Sequence, residues 1–407
     1  MSERIKATDY QIIMLTIKVL FWLCLFIVFY TYIGYGILLF VIIRLKRLFK
    51  GNTPERPMPT DEELPTMTLM ICAYNEQDVV AEKMKNTRAL DYPQDKFRVM
   101  WVTDGSNDRT NELLAAYPEV DVVFSPERRG KTAALKHGLR EVKTQYVAFT
   151  DANTMINPGA MKEIARQFTD KTVGCVSGEK RVAARQEGEM AAEGEGLYWR
   201  YESTLKRWDS ELYSTMGAAG ELYAVDPRLC RDVPDNALLD DFMMSMLIVD
   251  EGRRIAYTPE AYALEYGSAD IHEESKRKRR IAAGGLQSIW WLRKMLNPFR
   301  QPLVAFQYIS HRVLRWSLTP FTMVALLIIN AVLVALRAGW LYDVIFVLQV
   351  LFYLAALAGY LLSRVGHKNK LLYTAYYFVF MNLNVFRGIA YLQSHKHSGT
   401  WEKAKRS

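Results

Sequence analysis

The chain has 407 residues, of which 50% are hydrophobic and 24% are charged, and its formal net charge is +8. Its four cysteines, Cys24, Cys72, Cys175 and Cys230, show no CxxC spacing and accompany no histidine cluster, which excludes a zinc finger and a disulfide framework. The basic excess lies largely beside apolar segments, where such clusters meet anionic lipid headgroups more often than nucleic acid. The composition therefore predicts a globular domain joined to membrane segments, with membrane lipids and no nucleic acid among its partners.

The first apolar segment, residues 19–43, contains no charged side chain and is long enough to cross a hydrocarbon core of about 30 Å. It is too long for a secretory signal peptide and lacks a small-residue cleavage site, so we expect an uncleaved anchor. Two further spans are predicted at 318–336 and 341–362. A weaker segment, 371–392, carries Asn382, Asn384 and Arg387.

Basic residues flanking the first span predict its orientation, because loops rich in lysine and arginine stay in the cytoplasm. Those after the span (Arg44, Lys46, Arg47, Lys50 and Arg56) outnumber those before it (Arg4, Lys6 and Lys18). The central domain is therefore expected to face the cytoplasm from the cell inner (plasma) membrane. The tail after 392 is basic as well, so a full fourth crossing conflicts with this rule, and we expect the last segment to be re-entrant or interfacial.

Between the membrane regions, strand and helix patterns alternate after the linker 51–65. Repeated units of this kind predict a mainly parallel, doubly wound α/β sheet. One of the helices is expected to begin with Asn157 as N-cap and Pro158 at its first position. The predicted strands are "TMTLMICA", "FRVMWVTD", "VDVVFS", "YVAFTD" and "VGCVSGE".

Three acids, Glu76, Asp104 and Asp151, follow the ends of separate predicted strands. Ligands of such sheets bind at the carboxyl ends of the strands, so the three are expected at one crevice, although each alone would be an ordinary turn or cap residue. Without GxGxxG or GxxxxGK[ST], the crevice suits a divalent cation that in turn holds a diphosphate. Asp151 would bind Mg²⁺ or Mn²⁺ through its carboxylate, and Asn153 through a carbonyl or a bound water.

Four stretches in order, "AYNE", "VTDGSNDRT", "RGKTAAL" and "FTDAN", resemble the nucleotide-sugar half of the family 2 glycosyltransferases of GT-A fold. The DxD motif of that family corresponds to Asp151, Ala152 and Asn153. "STMGAAGELYAVD" resembles its acceptor loop, and "LLDDF" resembles its TED segment, whose final aspartate is the catalytic base. The likeness runs from about 66 to 284, and the membrane segments suit the integral-membrane branch.

The resemblance implies a set of site residues. Asp241 would be the catalytic base, and Asp151 and Asn153 the metal ligands. The residues expected to bind the nucleotide sugar are Ala73, Tyr74, Glu76, Asp104, Lys131, Asp151, Ala152, Asn153 and Arg280. Those expected to bind the acceptor are Gly220, Glu221, Asp240 and Arg277, with Tyr223 in the same loop.

Asp240 and Asp241 stand at the start of a predicted helix, where the helix N-terminus favours an ionised carboxylate. Inverting glycosyl transfer needs such a base to take the proton of the acceptor hydroxyl. The alternative for either aspartate is a plain N-cap role. Lys131 has an equally simple alternative as a solvated lysine on a helix surface.

Processive members of this family carry a QxxRW motif, and this chain departs from it. Arg277 replaces the glutamine, Arg280 keeps the arginine and Ile281 replaces the tryptophan. Isoleucine cannot stack on a sugar ring, which weakens the case for a long-chain polymerase. The five cations 276–280 form either a solvated or lipid-facing patch or a phosphate-binding one.

The sequence thus predicts a membrane-bound, metal-dependent, inverting glycosyltransferase that uses a nucleoside diphosphate sugar, UDP-linked by preference, and a lipid-linked or glycan acceptor. A processive polysaccharide synthase is the first alternative, and a non-catalytic nucleotide- or lipid-binding receptor is the second. The predicted regions are 1–50 (tail and anchor), 51–65 (linker), 66–285 (GT-A domain), 286–316 (interfacial helices) and 317–407 (C-terminal membrane region and tail). Trp401 in that tail is expected near the nucleotide or at the interface.

Overall fold

The computed structural model describes residues 2–51, 56–183, 190–266, 271–365 and 369–394. The prediction for Trp401 lies outside these ranges. The strands are Met67–Ala73 (β1), Phe97–Asp104 (β2), Val120–Ser125 (β3), Tyr146–Asp151 (β4), Met155–Ile156 (β5), Val173–Ala183 (β6), Leu222–Val225 (β7) and Arg254–Tyr266 (β8). The helices are Ser2–Phe29 (α1), Tyr35–Lys50 (α2), Val80–Arg88 (α3), Thr110–Leu114 (α4), Lys131–Glu141 (α5), Ala160–Gln167 (α6), Met190–Leu212 (α7), Asp240–Asp250 (α8), Ile271–Trp291 (α9), Pro302–Tyr308 (α10), Leu314–Trp316 (α11), Leu318–Ala335 (α12), Trp340–Arg364 (α13) and Lys370–Ser394 (α14).

The strands form one eight-stranded sheet in the order β3-β2-β1-β4-β7-β6-β8-β5. The first four of these are mutually parallel, as the sequence predicts for buried runs separated by helices. The sheet is not parallel throughout, because β7 runs antiparallel to both β4 and β6. This four-residue strand is buried along its whole length. The sequence pattern predicts a loop here, because the strand is short and glycines precede it.

Helices cover the parallel half closely. Gly138 of α5 permits this, because an added Cβ would lie 2.6 Å from a Val102 methyl group and 2.8 Å from the Met70 sulfur. The predicted start of α6 is wrong, since that helix begins at Ala160 with Gly159 before it. Asn157 is drawn away from the cap position: its side chain accepts from the Tyr262 backbone N–H and donates to the Glu260 carbonyl.

The chain divides into two compact units. One contains Met1–Leu38 and Ile309–Arg387, and the other contains Leu39–Tyr308 and Gly388–Ser407. The first unit is helical: Phe21, Leu326 and Leu333 pack into an apolar cluster, and the Thr31 and Thr319 hydroxyls lie 2.9 Å apart.

Among the described residues, three helical segments are long and apolar enough to cross a membrane: Asp9–Lys50, Leu318–Ala335 and Trp340–Arg364. The first and third contain the predicted spans 19–43 and 341–362, and the second matches the predicted span 318–336 except for its last residue. Helix α14 is continuous over 25 residues but is not among these segments. Its re-entrant or interfacial placement stays a prediction.

Helix α9 carries Arg277 and Arg280 and belongs to the second unit. Its small residues allow close packing, since an added Cβ at Gly284 would lie 2.6 Å from the Leu239 side chain. Trp290, near the end of α9, and Phe299, beyond it, are 67% and 95% exposed. Exposed aromatic side chains suit a lipid boundary, and the predicted interfacial position of 286–316 stays a prediction.

Candidate active site

The carboxyl ends of β1, β2 and β4 meet at one edge of the sheet. The register places Cys72 beside Asp151 and Ala73 beside Thr103. Ala73 and Ala152 are buried there and contribute apolar surface, whereas Asp151 and Asn153 are half-buried. The sequence prediction that separate strands deliver their polar ends to a common edge is confirmed.

Asp104, at the end of β2, is buried and accepts two backbone hydrogen bonds, from Arg129 N–H at 2.9 Å and Gly130 N–H at 2.7 Å. Both oxygens of this carboxylate thereby fix the turn that starts α5. Gly105 makes the approach possible, because it has φ +66° and an added Cβ would lie 2.5 Å from the Arg128 nitrogen. The structure thus gives Asp104 a positioning contact beside its predicted role at the nucleotide.

Tyr74 and Glu76 occupy the turn that follows β1. The guanidinium of Arg128 lies 3.9 Å from the centre of the Tyr74 ring, a cation–π contact at the rim of the crevice. The Glu76 backbone N–H donates to the Thr110 hydroxyl at 2.9 Å. Sequence reasoning missed Arg128, although two arginines before "GKTAAL" were a visible signal.

Lys131, the first residue of α5, connects two parts of the site. One is the strand edge that carries Asp151, called the donor edge below, and the other is the start of α8. Its ammonium donates to Asp151 Oδ1 at 2.7 Å and lies 4.0 Å from Asp240 Oδ2. Burial would lower the pKa of Lys131, but the Asp151 and Asp240 carboxylates outweigh it and raise that pKa above its usual range. The surface-lysine alternative for Lys131 is therefore wrong.

Asp151 and Asn153, the predicted metal ligands, offer a small set of donor atoms. Among the described residues, no group of three or more histidine, cysteine, aspartate and glutamate side chains is arranged to hold a metal ion. Asp151 and Asn153 offer one carboxylate and one amide oxygen, which are ligands that Mg²⁺ accepts. These two residues fit a cation that takes most of its remaining ligands from a diphosphate and water.

Asp241 is the second residue of α8, and Leu239 precedes the helix without a side-chain cap. Oδ1 of Asp241 accepts the Phe242 N–H at 2.8 Å, and a Cβ added to Gly220 would lie 2.7 Å from Oδ2. Burial, together with the neighbouring Asp240 carboxylate, raises the pKa of Asp241 to about 7. Such a pKa suits a general base near neutral pH.

Glu221, next to Gly220, belongs to a buried ion cluster that also contains Lys180, Glu265 and Arg277. The Lys180 ammonium contacts both carboxylates, with Glu221 Oε1 at 2.8 Å, and it also lies over the Trp199 ring. Arg277 lies 3.3 Å from Glu221 and 3.6 Å from Glu265. Against the effect of burial, the two cations hold the pKa of Glu221 well below its usual range.

The sequence reading missed Lys180 and Glu265 of this cluster. Lys180 and Glu265 are on β6 and β8, whose residues pair in parallel. Neither residue had a distinct signal in the sequence, because Lys180 stands between Glu179 and Arg181 and β8 carries other charges besides Glu265. Arg277, predicted at the acceptor, is held by the two carboxylates.

Arg280 lies on α9 and faces the aspartates of the site. Burial lowers its pKa, while the negative charges of Asp240, Asp241 and Asp151 act in the opposite direction. Arg280 therefore lies within the electrostatic reach of Asp151 and Asp241, and its role at the nucleotide stays a prediction.

Another missed residue, Lys83, lies wholly buried behind the Asp151 turn. Its ammonium donates to the Thr154 carbonyl at 2.5 Å and to the Thr150 hydroxyl at 3.3 Å. Burial lowers the pKa of Lys83 to about 7. Helical spacing with Val80, Met84 and Thr87 was the signal that this lysine faces inward.

Comparisons with known proteins agree with this geometry. Residues 68–225 match the model of the glycosyl transferase family 2. A poly-beta-1,6-N-acetyl-D-glucosamine synthase of Staphylococcus aureus is 31% identical over 140 residues, which cover 33% of this chain and 34% of that protein. A beta-monoglucosyldiacylglycerol synthase of Nostoc is 27% identical over 170 residues, 39% of this chain and 34% of that protein. The match spans about a third of the length of these curated relatives.

Among solved structures, the mannosyltransferase PcManGT of Pyrobaculum calidifontis, determined with GDP-Man and Mn²⁺, superposes with a TM-score of 0.67. The likeness covers 93% of this chain and 100% of that one at 21% identity, and it concerns the fold. The mixed, mostly parallel sheet is of the GT-A type. Residues 68–225 thus match the glycosyl transferase family 2 within a fold of GT-A type, and helices long and apolar enough to cross a membrane precede and follow this stretch in the sequence.

Proposed function

We propose that this protein is an inverting glycosyltransferase that moves a sugar from a UDP-linked donor to a lipid-linked or membrane-associated glycan acceptor in polysaccharide biosynthesis. The observation that carries the proposal is the Asp241 carboxylate, held against Gly220, with a pKa raised to about 7. A proton acceptor at this position would lie beside the segment that resembles the acceptor loop of the family, which supports the proposal. The donor edge, with Asp151 and Lys131, adjoins it through Asp240.

In this mechanism Asp241 takes the proton of the acceptor hydroxyl while the oxygen attacks the anomeric carbon from the side opposite the leaving group. The bond from that carbon to the diphosphate breaks, and the bonding electrons leave with UDP. Lys131 and Arg280 balance the charge on the departing diphosphate. When bound by Asp151 and Asn153, Mg²⁺ or Mn²⁺ supplies additional charge neutralisation at the diphosphate.

The acceptor side is formed by Gly220, Glu221, Asp240 and Arg277 in this proposal. Arg277 acts through Glu221, which it holds at 3.3 Å, and thereby fixes the loop beside Asp241. Ile281 offers no ring for stacking on a polymer. This favours a single addition to a small, membrane-bound acceptor.

A processive polysaccharide synthase is the second candidate. One observation favours it, namely the 31% identity to the poly-beta-1,6-N-acetyl-D-glucosamine synthase of Staphylococcus aureus. The two candidates share the donor chemistry and differ in product length.

The test is UDP release from a panel of UDP-sugars by the protein in native membranes, with Mg²⁺ or Mn²⁺, followed by sizing of the products. Metal-dependent UDP release with a lipid product that carries one added sugar supports the proposal, and a polymer supports the synthase. UDP-sugar binding without transfer to any membrane acceptor supports the non-catalytic receptor instead.

We place the protein in the inner membrane with the central domain in the cytoplasm, which puts the turn between α12 and α13 on the outside. Trp340, 74% exposed at the start of α13, is the position to probe. Trp340→Cys should react with a membrane-impermeant maleimide in intact cells. Reaction only after lysis would reverse the proposed orientation.

A further inference from the structure

Lys131 occupies the carboxylate that a metal ion needs. We propose that Lys131 is the resident counter-ion of Asp151 and Asp240 in the donor-free protein, and that a divalent cation binds tightly only when a diphosphate draws this ammonium away. The inference rests on the proposed function, because it takes Asp151 as a metal ligand. Lys131 then couples metal binding to donor binding.

The first step is geometric. Lys131 Nζ lies 2.7 Å from Asp151 Oδ1, so a cation bound to the same oxygen would be in direct repulsion with the ammonium. The backbone of Lys131 is not free to retreat, since Gly130 just before it is fixed by its hydrogen bond to Asp104. The flexible stem of the lysine therefore has to move the ammonium alone.

The second step concerns Asp240. This residue is 5% exposed, and its Oδ2 is buried with no hydrogen-bond partner among the described residues. Lys131, 4.0 Å from that oxygen, supplies compensating positive charge to it as well as to Asp151. A buried acid without compensation is costly, so the lysine remains between the two carboxylates until another cation replaces it.

The third step concerns the donor. A diphosphate brings negative charge to the same edge, and an ammonium is a point donor that follows phosphate oxygens. When Lys131 turns to the diphosphate, Asp151 is released for the metal, which the phosphate oxygens also ligate. Metal and nucleotide therefore raise the affinity of each other by the same factor.

The chain offers a matched control on the same helix. Lys136 also pairs with two carboxylates, Asp232 and Asp235, each at 2.6 Å, and its side chain is 22% exposed against 21% for Lys131. Lys136 does not contact Asp151 in any described ion pair. Lys136→Met thus removes a similar lysine without touching the donor edge.

The test is calorimetric titration of Mn²⁺ alone, without nucleotide, into the detergent-solubilised full chain. Lys131→Met should bind Mn²⁺ about tenfold more tightly than the wild type. Lys131→Arg, which keeps the charge, and Lys136→Met should bind it as the wild type does. Lys131→Gln serves if Lys131→Met does not fold, with thermal unfolding as the check.

The inference is overturned if the folded, uncharged Lys131 variant binds Mn²⁺ no more tightly than the wild type does. A rise in Lys136→Met equal to that in Lys131→Met overturns it too, since the effect would then be general charge. Both results concern metal binding without donor, so they are independent of sugar transfer. If transfer fails with every donor while the tenfold change is observed, the proposed function falls and the counter-ion role stands.

Discussion

The two halves of the sheet hold their charges in different ways. In the half formed by β1 to β4, Asp104 and Asp151 stand at strand ends, and their partners are neighbouring backbone N–H groups or Lys131. In the half formed by β6 to β8, the charges of Lys180 and Glu265 lie inside strands, nearly fully buried, with partners far away in sequence. The first arrangement puts Asp151 at the strand edge, where a ligand can displace Lys131, and the second fixes the residues beside Asp241, the proposed base.

In the proposed function, ligand binding and positioning of the base are therefore assigned to different halves of the sheet. Asp241 lies where the two arrangements meet, beside Gly220 of the second half and Asp240 next to Lys131 of the first. Substitutions in each half should therefore change different measured quantities.

The largest effect is expected at the base itself. Asp241→Asn keeps the shape of the side chain but removes proton acceptance, so turnover should fall about 10³-fold. UDP-release assays at saturating donor measure it. Retention of more than a tenth of the wild-type turnover would exclude Asp241 as the base.

The next effect concerns the buried ion cluster. Lys180→Met leaves Glu221 and Glu265 buried with one cation fewer, and the free energy of unfolding should fall by about 3–5 kcal/mol. Chemical denaturation of the solubilised protein measures it. Lys162→Met is the control, because Lys162 pairs with Asp61 and Asp91, which are both exposed at the surface. This substitution should change the free energy of unfolding little. Equal stability of Lys180→Met and the wild type would deny the scaffold role.

A third substitution tests the position of the base without changing any charge. In Gly220→Ala the new methyl group would lie 2.7 Å from Asp241 Oδ2, so the carboxylate has to shift and turnover should fall about 100-fold. Donor binding should stay unchanged. Gly159→Ala is the control, since nothing lies within 4 Å of its added Cβ. Wild-type turnover in Gly220→Ala would contradict the contact.

The smallest effect is a pH dependence. Because the pKa of Asp241 is raised to about 7, the base is protonated below that pH, and kcat/KM should fall about tenfold per pH unit there. Asp240→Asn removes a neighbouring negative charge, so the acid limb should move to lower pH. A limb that does not move in this variant would mean that Asp240 does not influence the base.

Local patterns sufficed to predict the half formed by β1 to β4, called the donor half because it holds the proposed nucleotide site. The apolar strands from β1 to β4 and the polar residues at their ends are set by short-range sequence signals, and Asp151 and Asp104 were identified from them. The contact between Asp104 and the backbone of Gly130 was not predictable, since it depends on a turn whose close approach is visible only in three dimensions.

The half formed by β6 to β8, called the acceptor half, could not be predicted from local patterns. Glu265 and Lys180 are 85 positions apart on two directly paired strands, β6 and β8. Between these strands in sequence lies the short, antiparallel β7, which resembles a loop. Arg277 and Glu221 were identified, but Glu265, the other carboxylate that Arg277 contacts, was not. The wrong N-cap at Asn157 has the same origin, since a distant strand edge outcompeted the local helix end.

The central claim, that the donor half binds the nucleotide and Asp241 acts only on the acceptor, is tested most directly by UDP binding to two variants in the presence of Mn²⁺. Calorimetry should give Asp241→Asn the UDP affinity of the wild type, while Asp151→Asn should bind UDP at least about tenfold more weakly. Equal affinities in both variants, or a loss confined to Asp241→Asn, would contradict the account.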